Sequence, residues 1–178
     1  MKPGALLLTP GASADRNQPS LIAIERAVSP LPVARADLPA RPPKAIAAVQ
    51  AEAAALVGAA SIKPHALALG GRSFGGRMCS MAVAEGLPAA ALVLVSYPLH
   101  PPGRADQLRV EHFPGLRLPC LFVSGTRDAF GTPAELEQHT AAIPGKVTHV
   151  WIDGGNHGLR GKDAEVAEAV ASWLRKLR

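Results

Sequence analysis

Serine, aspartate and histidine occur in this chain in an order and a setting that could perform nucleophilic catalysis. Ser73 lies in Gly71-Arg72-Ser73-Phe74-Gly75, directly after the apolar run Leu67-Ala68-Leu69 and before a helical pattern. A Gly-x-Ser-x-Gly run in that context turns sharply from strand to helix and leaves the hydroxyl exposed above the strand ends. The residues two before and two after the serine must be tiny for the corner to close, and Gly71 and Gly75 are. The following helix then aims its N-terminus at the reacting carbon, where negative charge develops. Without the preceding strand, the same five residues would be only a Gly-rich turn.

A serine nucleophile needs a base and a group to orient that base. Asp128 ends Gly125-Thr126-Arg127-Asp128, after the apolar run Leu121–Ser124. His157 lies in Asp153-Gly154-Gly155-Asn156-His157-Gly158, after the run Val147–Ile152. Hydroxyl, carboxylate and imidazole therefore all emerge past the C-terminal ends of strands, in the order that permits a triad on one sheet edge. Asp153 is the rival acid, but it is too near His157 in sequence to reach the far side of the ring. His149 falls inside a strand pattern and reads as a packed residue. His65, His112 and His139 read as surface histidines, and His100 could reach the site from a Pro-rich loop. Two backbone N–H groups should receive the oxyanion: Phe74, and Ala12 in the loop Thr9–Ser13, with Gly11 as the alternative. The six histidines and two cysteines show no metal-ligand spacing, and no phosphate loop or dinucleotide fingerprint is present, so neither metal nor cofactor is expected.

The elements that must carry these residues are legible as alternating periods. Short apolar runs at Ala5–Leu8, Leu31–Ala34, Ala66–Leu69, Ala91–Val95, Leu121–Val123 and Val147–Ile152 alternate with helical patterns. The helices are expected near Ser20–Val28, Pro43–Ala60, Gly75–Glu85, Pro133–Ala141 and Asp163–Leu177. Mostly continuous apolar strands separated by helices predict an α/β fold with a parallel sheet buried on both faces. Thr132-Pro133-Ala134-Glu135 carries the signals of a helix start. The stretch Ser96–Pro119 has no strong period and opens with Tyr97-Pro98-Leu99-His100-Pro101-Pro102-Gly103. It predicts a functional loop too short to be a separate cap.

Composition excludes several classes. At 178 residues the chain is expected to be a single domain, and 48% apolar residues can supply its core. The net charge of +5 raises the question of an acidic macromolecular partner. The nineteen Lys and Arg are scattered, however, and 4% aromatic residues leave little for base stacking, so no nucleic acid is expected. Ala5-Leu6-Leu7-Leu8 is shorter than the roughly 7–15 residues of a signal core. No apolar run approaches a membrane span either. Cys79 and Cys120 read as buried free thiols. A cytoplasmic protein with no membrane partner is expected.

Several longer segments resemble one branch of the α/β-hydrolases. They are Gly70–Met78 (Gly-Gly-Arg-Ser-Phe-Gly-Gly-Arg-Met), Tyr97–Gly103, Leu108-Arg109-Val110-Glu111-His112, Gly125–Asp128 and Gly154–His157. The branch is the one related to testis-expressed and NSL-complex-subunit proteins, with bacterial, dienelactone-hydrolase-like members described as predicted hydrolases. Relatives of the wider fold carry an antiparallel hairpin before the first strand, which cannot fit in Met1–Gly4. A minimal, lidless fold of about six parallel strands in the order 2-1-3-4-5-6, with helices on both faces, is therefore expected. The resemblance implies that Ser73, Asp128 and His157 act on a small ester-like substrate. Thr9-Pro10-Gly11-Ala12 departs from the His-Gly-Ala-Gly of such proteins. Ala12, Phe74, Gly11, Ser13, Tyr97, Pro98, Leu99, His100 and Phe130 are expected around an open cleft. The competing expectation is a non-catalytic interaction module, since some members of that branch are subunits of a chromatin-modifying assembly.

Overall fold

The apolar runs become strands because each can hide both of its faces. In the computed structural model, which describes residues 2–177, they are β1 (Ala5–Thr9), β2 (Val33–Arg35), β3 (Leu67–Arg72), β4 (Ala91–Val95), β5 (Cys120–Gly125) and β6 (Val147–Ile152). The helices are α1 (Pro19–Ala27), α2 (Pro42–Ala59), α3 (Phe74–Ala84), α4 (Pro133–Thr140) and α5 (Asp163–Lys176). The strands form one sheet in the order β2-β1-β3-β4-β5-β6, and every neighbouring pair is parallel.

Alternation along the strands divides the core in two. Leu7, Leu69, Leu94 and Phe122 point to a face covered by α2 and α3. Leu6, Leu8, Val93 and Val123 point to the opposite face, covered by α1 and α5. Helix α5 carries an apolar stripe through Val166, Val170 and Trp173, acidic residues in its first turn and basic ones in its last, as the macrodipole favours. Helix α4 starts as its sequence predicts: the Thr132 side chain accepts from the Glu135 N–H, and the Glu135 carboxylate accepts from the Thr132 N–H.

The boundaries differ from expectation at two places that matter. Strand β3 runs on to Arg72 rather than stopping at Leu69, and α3 begins at Phe74, so a single residue, Ser73, joins strand to helix. Strand β2 is only three residues long, as befits the sheet edge. No helix among the described residues is long and apolar enough to cross a membrane.

Candidate active site

Strand order reverses between β1 and β3, and the crevice outside their C-terminal ends is where open α/β sheets place ligands. Ser73 occupies that point with φ 48° and ψ −114°, in the left-handed half of backbone space that a side chain rarely adopts. The corner is held by the Ser73 N–H, which donates to the Val95 carbonyl at 2.8 Å. It is also permitted by its glycines. A Cβ on Gly71 would meet the Thr9 hydroxyl and would stand 2.8 Å from the Gly76 nitrogen. One on Gly75 would stand 2.6 Å from the Thr9 carbonyl oxygen. Any side chain at either position would push the β1 loop away from the serine.

The loops after β5 and β6 are sewn together before they reach the serine. The Arg127 N–H donates to the Gly155 carbonyl at 2.8 Å, and the Gly154 N–H to the Thr126 hydroxyl at 2.8 Å. Gly125 admits this approach, since a Cβ there would collide with the Gly155 carbonyl. The pairing brings Asp128 to His157. The imidazole Nδ1 lies 3.0 and 2.9 Å from the two Asp128 carboxylate oxygens, and Nε2 lies 2.9 Å from Ser73 Oγ. A carboxylate can only accept, so Nδ1 carries the proton and Nε2 turns its lone pair to the serine. Asp128 is buried and also accepts from the Phe130 N–H at 2.8 Å. Asp153 is exposed and makes no hydrogen bond or ion pair with the imidazole.

Two further residues fix the histidine. The Phe130 ring stacks on the imidazole with centroids 3.8 Å apart, and Arg72 donates to the His157 carbonyl at 2.6 Å. Gln18 was not anticipated. Its side-chain oxygen accepts from the Gly11 N–H at 3.0 Å, which occupies that donor and leaves the neighbouring Ala12 N–H as the available one in the β1 loop. The Phe74 N–H opens α3 and so has no acceptor within the helix.

The cleft over Ser73 is half-open and about 520 Å³ in volume. Of the residues expected around it, Gly11, Ala12, Phe74, Pro98 and Phe130 line it, together with Ser73 and His157. Tyr97, Leu99, His100 and Ser13 do not. Tyr97 and Leu99 are fully buried in the core beneath the loop, because their apolar surface is better hidden there than in an open wall. His100 is buried as well, with Nδ1 near the Pro101 carbonyl and Nε2 3.4 Å from a Glu135 carboxylate oxygen. Ser13 stays exposed outside the cleft, at a turn residue with φ 61°. In their place Gln18, Arg72, Arg77 and Arg109 face the cleft.

His149, His112 and the two cysteines lie away from the cleft. His149 stacks on Trp151 at 4.9 Å and pairs with the Thr140 hydroxyl at 3.0 Å. His112 is half-buried rather than on the surface, 2.8 Å from Ser80 Oγ. Cys79 and Cys120 are free, buried thiols that burial pushes up to about 12. No group of metal-ligating side chains occurs among the described residues. A second groove, of about 400 Å³ at the opposite end of the sheet, is lined by residues such as Gly4, Val28 and Leu174 and holds neither histidine nor carboxylate.

Comparison with known proteins follows this geometry. A family model described as an alpha/beta hydrolase domain matches residues 31–176. Among solved structures, Est1E from Butyrivibrio proteoclasticus superposes with a TM-score of 0.81 at 15% identity, over 99% of this chain and 89% of that one. A dienelactone hydrolase from Anabaena variabilis gives 0.78 at 18% identity, over 99% and 88% of the two chains. A Xanthomonas campestris protein described as an α/β serine hydrolase without lid gives 0.71 at 15% identity, over 96% and 81%. At these identities the likeness is one of fold.

Proposed function

This chain belongs to the alpha/beta hydrolase domain family, and from that premise we propose that it is a serine hydrolase cleaving a small ester or thioester through an acyl-enzyme. The observation that carries the proposal is the unbroken relay from Asp128 through both nitrogens of His157 to Ser73 Oγ. His157 Nε2 takes the Ser73 proton as Oγ bonds to the substrate carbonyl carbon. The carbonyl electron pair moves onto its oxygen, which the Ala12 and Phe74 N–H groups receive. The tetrahedral species collapses, and His157 delivers its proton to the departing alcohol or thiol. Water then attacks the acyl-Ser73 ester by the same route, giving a carboxylic acid and restoring the Ser73 hydroxyl. Asp128 keeps the imidazole in the required tautomer and favours its transient positive charge. None of these steps calls for a metal or cofactor. The reading also places the protein in the cytoplasm, where two free thiols stay reduced.

A fluorophosphonate probe tests the proposal. It should label the native protein once, at Ser73, and Ser73→Ala should abolish both labelling and hydrolysis of short p-nitrophenyl esters, the latter by a factor on the order of 10⁴–10⁶. An unlabelled native protein, or an unaffected mutant, would return the chain to the class of interaction modules.

A further inference from the structure

The mechanism leaves most of the charge in the cleft unused. Arg72, Arg77 and Arg109 line it together with Ser73 and His157, and no carboxylate does. Arg72 is partly committed through its bond to the His157 carbonyl. Arg77 follows Ser73 by one helical turn, its N–H donating to the Ser73 carbonyl at 3.0 Å, so both side chains rise on the same face of α3. Arg109 comes from the Ser96–Pro119 segment. Its N–H donates to the Leu99 carbonyl at 2.9 Å, and its carbonyl accepts the Tyr97 hydroxyl at 2.6 Å. A loop residue held at both backbone groups is presented in one place.

Partial burial without an ion pair is what sets these arginines apart. Outside the cleft, Arg16, Arg35, Arg104 and Arg175 each sit beside an Asp or Glu, while Arg26, Arg41, Arg117, Arg127 and Arg160 have no ion pair among the described residues but are exposed to water. Arg77 and Arg109 have no ion pair among the described residues. The Nε groups of Arg72 and Arg77 are buried without an acceptor. Asp128, the carboxylate nearest the reaction, is engaged by His157. Burial, and after it the charge of Arg77, lowers the pKa of Arg109, so the two guanidinium groups are close enough to repel. An unpartnered donor and an unneutralised like-charge pair are both relieved by one incoming anion.

We propose that Arg77 and Arg109, supported by Arg72, bind a carboxylate carried by the substrate, so that the preferred ester or thioester is an acidic one such as the half-ester of a short dicarboxylic acid. The inference rests on the serine-hydrolase reading for its chemistry but not for its binding step. Two planar forks suit a carboxylate in an otherwise small cleft, whose volume falls within the ~300–1,000 Å³ of small-molecule sites. Hydrolysis of a half-ester leaves a dicarboxylate, which should itself bind and inhibit.

The test has a binding arm and a turnover arm. In the binding arm, glutarate should raise the melting temperature of Ser73→Ala, while glutaramide should not. Adding Arg77→Gln or Arg109→Gln should remove the effect, and raised salt should weaken it. In the turnover arm, mono-p-nitrophenyl glutarate is compared with p-nitrophenyl pentanoate. The parent should favour the acidic ester by about tenfold or more in kcat/KM, and the ratio should fall towards one in either Gln variant. If a Gln variant fails to fold, the Lys variant keeps the charge but not the fork and should retain part of the preference. A parallel pair with the carboxylate on the nitrophenol shows which side of the scissile bond the arginines serve. Ser73-dependent hydrolysis with no acid preference and no glutarate binding overturns the inference and leaves the hydrolase reading intact. Arginine-dependent glutarate binding without turnover of any ester upholds the anion site and sinks the hydrolase reading instead.

Discussion

At the scale of single residues, His157 is held from three directions, and each hold removes a different freedom. Asp128 fixes the proton on Nδ1, the Phe130 ring restricts rotation of the imidazole plane, and Arg72 anchors the backbone carbonyl. The first of these matters most for chemistry. In Asp128→Asn the amide can present its N–H to Nδ1, which drives the ring proton to Nε2 and leaves Ser73 facing a donor. Ester hydrolysis should fall by a factor on the order of 10⁴ with the fold retained. Asp153→Asn should leave activity close to that of the parent, and a reversal of the two results would transfer the acid role to Asp153. Ser73, Asp128 and His157 were legible because each follows an apolar run that ends in small residues, so sequence alone places them on one edge. Gln18 and Arg109 were not legible in that way. Gln18 acts through a bond to a backbone N–H, which leaves no trace in residue spacing. Arg109 acts from a segment without a period, and nothing in its immediate neighbours says where the chain turns.

At the scale of elements, the Ser96–Pro119 segment departs furthest from expectation. Its prolines and missing period read as a surface wall, yet Tyr97, Leu99, Phe113 and Leu116 are fully buried. The Tyr97 and Phe113 rings lie 5.4 Å apart, and each packs on Phe122 of β5. Irregular backbone hides its apolar residues without a period of two or 3.6, which is why helices and strands could be read and this packing could not. The segment is clamped to α3 by the pair His112 Nε2–Ser80 Oγ. Burial first, and then the positive charge of Arg77, lowers His112 to about 4, against a small opposing effect of Glu111. The unfolded chain takes up this proton near pH 6.5, so between about 6.5 and 4 it binds a proton that the fold refuses. The contribution of His112 to stability is therefore complete above that window and lost as pH falls through it, by an amount on the order of 2 kcal/mol. Urea unfolding at pH 7 and pH 4.5 should show this loss in the parent and a smaller one in His112→Gln. Equal losses in the two proteins would mean that His112 is not the group responsible.

At the scale of the whole molecule, the switch point between β1 and β3 sets the crevice, and apart from Ser96–Pro119 short loops surround it. The one long segment at that edge is not free to move as a flap. Its apolar side chains form part of the core, and lifting it would expose the cluster of Tyr97, Phe113 and Phe122 to water. Two backbone bonds, from Ser96 to Val123 and from His100 to Phe130, tie it to β5 and to the loop that carries Asp128. A hydrolase gated by a lid is activated when a lipid surface holds the lid open; the Ser96–Pro119 segment, packed into the core, lacks that freedom. A half-open cleft also buries little of a long acyl chain, so chain length beyond a few carbons adds little binding. The rate on p-nitrophenyl octanoate should therefore rise smoothly through the solubility limit of the ester, and kcat/KM should be no higher for it than for the butyrate. A sharp increase on crossing into the emulsion would require the Ser96–Pro119 segment to leave the core, and the packing of Tyr97 on Phe122 would then not describe the working enzyme.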